Sequence, residues 1–139
     1  MTISQAFIDY LESQGYGKFG QTLFLYRVPN SLKTQTDLMW VIPSGGSPVS
    51  TNVSGEKQKA YQMLIYYRSN SARQVDEALS LLEEQLNCPN CVELQGFELV
   101  SIEATQFAAD QDLDSENRMV GMLQVQLTVY KSCVDNVLS

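Results

Sequence analysis

The spacing of apolar residues along the chain predicts two helices. In residues 2–14 and in residues 72–87, apolar side chains recur three or four positions apart, as on the buried face of an amphipathic helix. The second stretch is the clearer one, because Val75, Leu79 and Leu82 form one stripe and acidic residues occupy most of the opposite side. We expect both stretches to pack one face against the rest of the domain.

Further stretches have the composition or the alternation of β-strands. Residues 119–131 alternate strictly between apolar and polar positions, which predicts a strand with one buried face. Residues 58–68 are apolar on both faces, which predicts a central strand covered on both sides. The predicted strands are residues 22–28, 37–42, 58–68, 97–107 and 119–131.

The resulting order of elements is α-β-β-β-α-β-β. Strands that are consecutive in sequence tend to be neighbours in a sheet, and amphipathic helices must bury their apolar face. We therefore predict an α+β fold for a single domain of residues 1–139, with one mostly antiparallel or mixed sheet of about five strands and two helices packed on it. Residues 133–139 have no pattern and are expected to fray.

Two connections are candidate binding loops. Residues 43–56 form the longest tract of turn-forming residues, and a structureless loop of this length in a compact domain is typical of a functional segment. We predict a flexible loop with the partner-docking residues Ser44, Gly45, Gly46, Ser47, Val49 and Val53. Residues 108–118 predict an acidic hairpin tip, with the candidate interface residues Asp110, Asp112, Asp114, Glu116 and Arg118.

The acidic residues in 110–116 alternate as they do at the start of a calcium-binding loop. A loop of the EF-hand type would need glycine at its sixth position and a bidentate glutamate at its twelfth, where this chain has Ser115 and Gly121. We therefore favour a solvated acidic tip over an ordered calcium site. A charged surface that repels DNA, or that pairs with arginine on a neighbouring subunit, is a third hypothesis.

Composition excludes several classes of function. The chain has 139 residues, 16 acidic and 9 basic side chains, a formal charge of -7 and no histidine. The acidity disfavours tight binding of nucleic-acid phosphates, and the lack of histidine excludes Ser–His–Asp triads and imidazole metal sites. No spacing of Ser, Asp or Glu identifies a catalytic pair, so we predict no enzymatic activity, no metal site and no cofactor.

The three cysteines are Cys88, Cys91 and Cys133, an odd number that cannot form a complete disulfide framework. The C-x-x-C pair follows the end of a predicted helix, where the helix dipole does not favour a thiolate, and a structural zinc site would need a fourth ligand. We predict two thiols in a helix-ending turn. Without a signal-peptide pattern or a long apolar run, we expect a soluble protein made in a reducing compartment.

Four aromatic residues, Trp40, Tyr61, Tyr66 and Tyr67, lie in the predicted strands. A base-stacking platform would use such side chains together with basic neighbours, and few basic residues are near them in sequence. Packing in the core and on the sheet is therefore the preferred interpretation.

A set of short segments follows one overall pattern along nearly the whole chain. It starts with the helix of residues 3–11 and Gly15-Tyr16-Gly17, and it closes with the strand pair at 102–105 and 120–131. Between them come Phe24 to Pro29 leading into Trp40, the tract Ser44-Gly45-Gly46, Tyr66-Tyr67-Arg68 before the second helix, and the turn from Leu86 to Cys91. This pattern resembles that of the small minor capsid or tail terminator proteins of long-tailed bacteriophages.

The resemblance implies structural work in the virion, at the neck of the tail, after assembly in the cytoplasm of the bacterial host. Proteins of this family form a ring, typically a hexamer, at the head-proximal end of the tail tube. The ring stops tube polymerisation and joins tail to head, and DNA passes through its lumen without specific binding. The expected partners are further copies of this chain, the tail tube protein and the head connector or completion protein, with no membrane.

In such a ring, residues 43–56 and 108–118 are the expected docking, subunit-spanning or lumen-facing segments. Edge strands offered to a neighbour would let the sheet continue around the ring. One alternative is a head-side connector or head-closure neck protein. The other belongs to a different class, a small calcium-binding module that uses residues 110–116.

Overall fold

The computed structural model describes residues 2–32, 36–51, 57–88, 90–111 and 118–131. These residues form an α+β fold in which two α-helices pack on one mixed sheet of five strands, which confirms the predicted fold class and element order. The helices are α1 (Ile3–Ser13) and α2 (Ala72–Leu86), and a short 3-10 helix covers Asn30–Leu32. The strands are β1 (Leu23–Leu25), β2 (Leu38–Thr51), β3 (Lys57–Ser69), β4 (Glu98–Gln111) and β5 (Met119–Lys131).

The strand order in the sheet is β1-β2-β3-β5-β4, with β3 at the centre. β3 pairs antiparallel with β2 on one side and with β5 on the other, and its pairing with β5 runs without a break from Lys57 to Ser69. β4 pairs antiparallel with β5, whereas β1 pairs in parallel with the start of β2. The parallel β1–β2 pair is what makes the sheet mixed.

Side-chain hydroxyls begin both helices. Thr2 Oγ1 accepts a hydrogen bond from the Gln5 backbone N–H at 3.2 Å, and Ser71 Oγ accepts one from the Gln74 backbone N–H at 3.4 Å. Each bond satisfies one of the N–H groups that the first turn of a helix leaves unpaired. The chain before each helix is thereby held in the extended conformation of an N-cap.

The side chain of Gln85 joins the two helices. Its Oε1 accepts from the Tyr16 hydroxyl at 2.6 Å, and its Nε2 donates to the Tyr10 hydroxyl at 2.9 Å and to Gln14 Oε1 at 2.7 Å. Burial raises the pKa of Tyr10 and of Tyr16 above the ordinary value. This network fixes α1 beside the end of α2 through bonds between polar groups that would otherwise be desolvated without a partner.

The core lies between the helices and one face of the sheet, which we call the inner face. Val75, Leu79, Leu82 and Leu86 form the buried stripe of α2, as the helical spacing predicts. The buried residues of the inner face are Leu23, Met39, Val41, Met63, Ile65, Ala104, Leu123, Val125, Leu127 and Val129. Every second residue of β5 is therefore in the core, which is the alternation seen in its sequence.

Gly121 lets β5 approach α2. A β-carbon at this position would overlap the side chain of Val75 and would lie 2.7 Å from Leu79 Cδ1. Contacts this short require the neighbours to move, and a close-packed core resists such movement.

The predicted loop 43–56 is wrong for residues 43–51, which belong to β2. The edge of β3 supplies hydrogen-bonding partners for them, with Gly46 opposite Tyr61 and Pro48 opposite Lys59. Irregularities in the register between Pro43 and Gly46, and between Pro48 and Ser50, accommodate residues that a regular ladder would not tolerate. Residues 52–56 lie outside the described part of the chain.

The predicted acidic loop 108–118 is wrong for residues 108–111, which extend β4. An irregularity between Phe107 and Asp110 separates them from the regular part of the strand, and Asp110 and Gln111 then pair with Val120 and Met119. Residues 112–117 lie outside the described residues, and so do residues 132–139, which include the segment expected to fray.

We predict that Gly121→Ala lowers the free energy of unfolding by about 1–3 kcal/mol, because the added methyl group forces Val75 and Leu79 out of place. Urea denaturation followed by circular dichroism measures the change. Gln124→Ala is the matched control, since this residue lies on the same strand but on the opposite face, and it should cost no more than about 0.5 kcal/mol. Equal losses in the two variants would contradict the packing argument.

Candidate functional site

The sheet face opposite the core, which we call the outer face, is the candidate functional site. Both α-helices lie on the inner face, so along the described part of the chain no α-helix covers the outer one. Its described strand positions are Phe24 on β1, Leu38, Trp40, Ile42 and Ser44 on β2, Gln58, Ala60, Gln62, Leu64, Tyr66 and Arg68 on β3, Val120, Met122, Gln124, Gln126 and Thr128 on β5, and Glu98, Ser101, Glu103, Thr105 and Phe107 on β4.

An apolar row crosses the outer face from β2 to β4. Trp40 pairs with Tyr66, Tyr66 with Met122, and Met122 with Phe107. The rings of Trp40 and Tyr66 are stacked, with centroids 5.4 Å apart and planes 13° from parallel. Phe107, at the edge of the row, is 42% exposed. The row therefore offers aromatic and thioether surface to an approaching molecule.

A polar row runs parallel to the apolar one. Ser44 Oγ donates to the Gln62 carbonyl oxygen at 3.0 Å, Gln62 pairs with Gln126, and Gln126 pairs with Glu103. These residues line a hollow of about 540 Å³, to which Thr128 also contributes. The hollow thus combines amide and hydroxyl groups with one carboxylate, a set that can accept and donate hydrogen bonds.

The corner of the outer face near β1 is closed by the segment that carries the 3-10 helix. Arg68 Nη2 donates to the Leu32 carbonyl oxygen at 2.9 Å, and the Arg68 guanidinium lies 5.6 Å from the centroid of the Trp40 ring. Arg68, Leu38 and Phe24 are buried here although they are not part of the main core. The accessible part of the outer face therefore begins at Trp40.

The charges on the outer face are unevenly distributed. Glu98 and Glu103 are exposed on β4, whereas Arg68 is 6% exposed and is the only basic side chain among the described strand positions of this face. The Arg68 guanidinium is bonded to the Leu32 carbonyl and lies beside the Trp40 ring, so its positive charge is at the β2 side of the face. The accessible part of the outer face is therefore acidic at its β4 side.

Side chains of α2 close the middle of the β4 edge. Asn87 Oδ1 accepts from the Ala104 N–H at 2.8 Å, and Asn87 Nδ2 donates to the Ala104 carbonyl oxygen at 3.0 Å. The Gln106 N–H donates to Glu83 Oε2 at 2.6 Å. These groups stand where a further strand would bond, so this part of the edge is not offered to a neighbouring sheet. A sheet that continues into a neighbouring subunit through this part of β4 would have to displace Asn87 and Glu83.

The two predicted site loops are not brought together. β3 runs from Lys57, opposite Thr51, to Ser69, which pairs with Met119 beside Gln111. With 13 residues and a rise of about 3.3 Å per residue, the strand spans about 40 Å. The hairpin end at Thr51–Lys57 and the hairpin end at Gln111–Met119 thus lie at opposite ends of the sheet.

The structure places the predicted site residues in different environments. Ser44 lies on the outer face, and Gly45, Gly46, Ser47 and Val49 lie in β2. Asp110 lies in β4, and Arg118 is half-buried just before β5. Val53, Asp112, Asp114 and Glu116 lie outside the described residues. The calcium hypothesis for residues 110–116 therefore stays a prediction.

The sequence interpretation missed most of the outer face. It assigned Trp40 and Tyr66 to core and sheet packing, and they pack on each other outside the core, whereas Tyr61 and Tyr67 do pack against it. The prediction that β3 is covered on both sides is confirmed for the inner face, and for the outer face it stays a prediction. The two-sided apolar pattern of residues 58–68 was the signal that could have identified this surface.

A disulfide joins Cys88 and Cys91, which corrects the prediction of two free thiols. The turn after α2, in which the Cys91 N–H donates to the Cys88 carbonyl oxygen at 3.2 Å, brings the two Cα atoms to 5.4 Å. This separation lies within the range that a disulfide spans. Cys133 lies outside the described residues.

Asp37 forms a polar junction where β2 begins. It has a φ of 62°, and its Oδ1 accepts from the Tyr67 hydroxyl at 3.3 Å and lies 3.2 Å from the Ser69 hydroxyl. Burial, and next the nearby Asp37 carboxylate, raise the pKa of Tyr67. The neutral phenol is therefore the form that this junction stabilises.

No family model and no curated protein matches the chain. Among the residues with described structure, no three His, Cys, Asp or Glu side chains form a group that could hold a metal ion. None of the helices in the same ranges has the length and apolar character needed to cross a membrane.

We predict that Asn87→Ala lowers the free energy of unfolding by about 1–3 kcal/mol, because it leaves the Ala104 N–H and carbonyl without their partners. Asn87→Asp should fall between the wild type and Ala, since it keeps only the acceptor. Urea denaturation measures both, with the exposed Asn70→Ala as control. An unchanged stability in Asn87→Ala would show that water replaces the amide at this edge.

We predict that Tyr67→Phe reduces the loss of stability at alkaline pH. Above the ordinary tyrosine pKa of 10.0 the unfolded chain releases the Tyr67 proton while the folded chain retains it, so the stability of the wild type falls as pH rises. Urea denaturation between about pH 8 and about pH 11 gives the slope. The variant should have the shallower slope, with the remainder from Tyr10 and Tyr16, and equal slopes would contradict the assignment.

Proposed function

We propose that this protein is a structural subunit of a ring at the head-proximal end of a phage tail tube. In this function it stops tube polymerisation and joins the tail to the head in the virion. The observation that carries the proposal is the placement of the hairpin ends at Thr51–Lys57 and Gln111–Met119 about 40 Å apart, at opposite ends of one rigid sheet. A subunit between two assemblies needs two separate contact regions, and this arrangement supplies them.

The pairing in the sheet supports such a role because it makes both ends stiff. β2 and β3 are bonded to one another as far as Thr51 and Lys57, and β4 and β5 as far as Gln111 and Met119. Contacts at either end are therefore connected to the core through β3 and β5, whose pairing with each other is unbroken from one end of the sheet to the other. The resemblance of the sequence pattern to tail terminator proteins points to the same class of function.

The charge of the chain supports passage of DNA through the ring. With a formal charge of -7, the subunit offers no excess of lysine and arginine to neutralise phosphates. A lumen formed by such subunits would let DNA slide through without a strong hold on its backbone. The ring contact itself would use surfaces other than the middle of the β4 edge, because α2 occupies that edge.

A head-side connector or head-closure neck protein would have the same two-ended geometry. The difference lies in the order of assembly, because a terminator binds the end of a tail tube before any head is present. The natural test therefore uses purified protein and tail tubes from the phage that encodes it.

We predict a ring of about six subunits, each of 15.6 kDa, when light scattering is combined with electron microscopy of the purified protein. Rings should be visible on one end of each tail tube, and tube growth should stop there. A strict monomer that also leaves tube ends bare would contradict the proposal. Rings that bind only isolated heads would favour the connector.

Two matched variants test the roles of the hairpin ends. One replaces residues 52–56 and the other replaces residues 112–118 by the two-residue turn Asn-Gly, which suits a tight hairpin. Both should stay folded, because the replaced segments lie beyond the paired strands. One variant should lose attachment to tubes and the other attachment to heads. Normal attachment to both assemblies in both variants would contradict the two-ended arrangement.

A further inference from the structure

We propose that the outer face is a docking surface for a cationic amphipathic α-helix of another protein. The surface consists of the apolar row Trp40, Tyr66, Met122 and Phe107 and of the polar hollow beside it, where Gln126 and Glu103 lie. The inference does not depend on the ring, because it rests on a different part of the molecule from the two hairpin ends.

The pattern of β3 indicates that the outer face is made to be covered. Leu64 and Tyr66 point outward between Met63, Ile65 and Tyr67, which point to the core side, so the strand is apolar on both faces. Strands with this composition are typical of sheets buried on both sides. Along the described residues only the inner face has a helical layer.

The dimensions of the outer face suit a helix. The apolar row crosses from β2 to β4 over three strand spacings of about 4.8 Å, so it is about 14 Å long. At a rise of 1.5 Å per residue, a helix laid along the row would present about nine residues to it. The hollow of about 540 Å³ lies four residues along the strands from the row and offers room for long side chains from the flank of such a helix. The inner face already accepts α2 across β3, β5 and β4 in this way.

The charges of the outer face select a cationic helix. Glu103 and Glu98 are exposed on one side of the apolar row, and the only described basic side chain of the face, Arg68, is buried and already bonded. A helix that lays leucine or methionine on Trp40 and Phe107 would place lysine or arginine from its flank near Glu103. The glutamine amides between them can bond to the remaining polar side chains of such a helix.

A helix from a second copy of this chain is a poor occupant. The exposed side of α2 carries Asp76, Glu77 and Glu84, and α1 exposes Glu12. Glu77 is paired with Arg73 at 2.9 Å, whereas Asp76, Glu84 and Glu12 would bring further negative charge towards Glu103. Like charges placed together across an interface are unfavourable. Two outer faces packed against each other would also bring like charges together, because each carries Glu103.

Trp40 is the only tryptophan of the chain, so its fluorescence reports on this surface alone. The probe is a synthetic helical peptide of leucine and lysine without aromatic residues, titrated into the full-length protein at physiological salt. We expect a saturable change in Trp40 emission. A matched peptide of leucine and glutamate should bind at least about tenfold more weakly.

Two pairs of variants make the test specific, and each pair has the same chemical change on the two sides of the molecule. Glu103→Lys should weaken peptide binding by about tenfold or more, whereas Glu84→Lys on the exposed side of α2 should change it by less than about twofold. Phe107→Ser should also weaken it by about tenfold, whereas Leu81→Ser, at a residue 61% exposed on α2, should not.

Three results would overturn the proposal. The first is no change in Trp40 emission at any peptide concentration. The second is an equal effect of Glu103→Lys and Glu84→Lys, which would mean that only the net charge attracts the peptide. The third is a self-association, measured by light scattering, that Phe107→Ser abolishes, because the outer face would then be covered by a second copy. Loss of peptide binding in a variant that keeps the ring separates this proposal from the proposed function.

Discussion

The pairing of β3 with both of its neighbours is the interaction on which the rest of the structure depends. β3 is bonded to β5 along its whole length and to β2 through two irregularities. Because successive side chains of a strand point to opposite faces, this register sends Ile65 to the core and Tyr66 to the outer face. A slip of one residue would exchange the two sets and destroy the core, so the burial under the helices fixes the position of the outer row as well.

Elements that are encoded locally could be predicted from the sequence, and elements that depend on a distant partner could not. The stripe of α2 and the alternation of β5 each follow from neighbouring residues alone. Residues 43–51 contain the turn-forming Pro43, Gly46 and Pro48. They form a strand because β3, which follows in the sequence, provides hydrogen-bonding partners for them. Ser44 was selected as part of a loop, and its hydroxyl instead bonds to Gln62 within the sheet.

The candidate surface could not be predicted from the sequence for a similar reason. Glu103 and Gln126 are the outward residues of two separate alternating strands, and only the register places them side by side. The edge of β4 is a second case. Asparagine is a common residue at the end of a helix, but the side-chain amide of Asn87 also pairs with the backbone of Ala104. Side-chain pairing of this kind depends on how α2 lies across the sheet, which the spacing of its apolar residues does not specify.

The closed edge, the open face and the charges of the helices together restrict how copies of this chain can associate. α2 blocks the middle of β4, so a ring built through that part of the strand would first have to break the bonds of Asn87 and Glu83. Stacking a helix of one copy on the outer face of the next would oppose Glu84 to Glu103. Contacts between copies that avoid both surfaces would leave these bonds intact and would not bring these carboxylates together. Such an assembly would leave each Trp40 surface accessible to a protein of opposite charge.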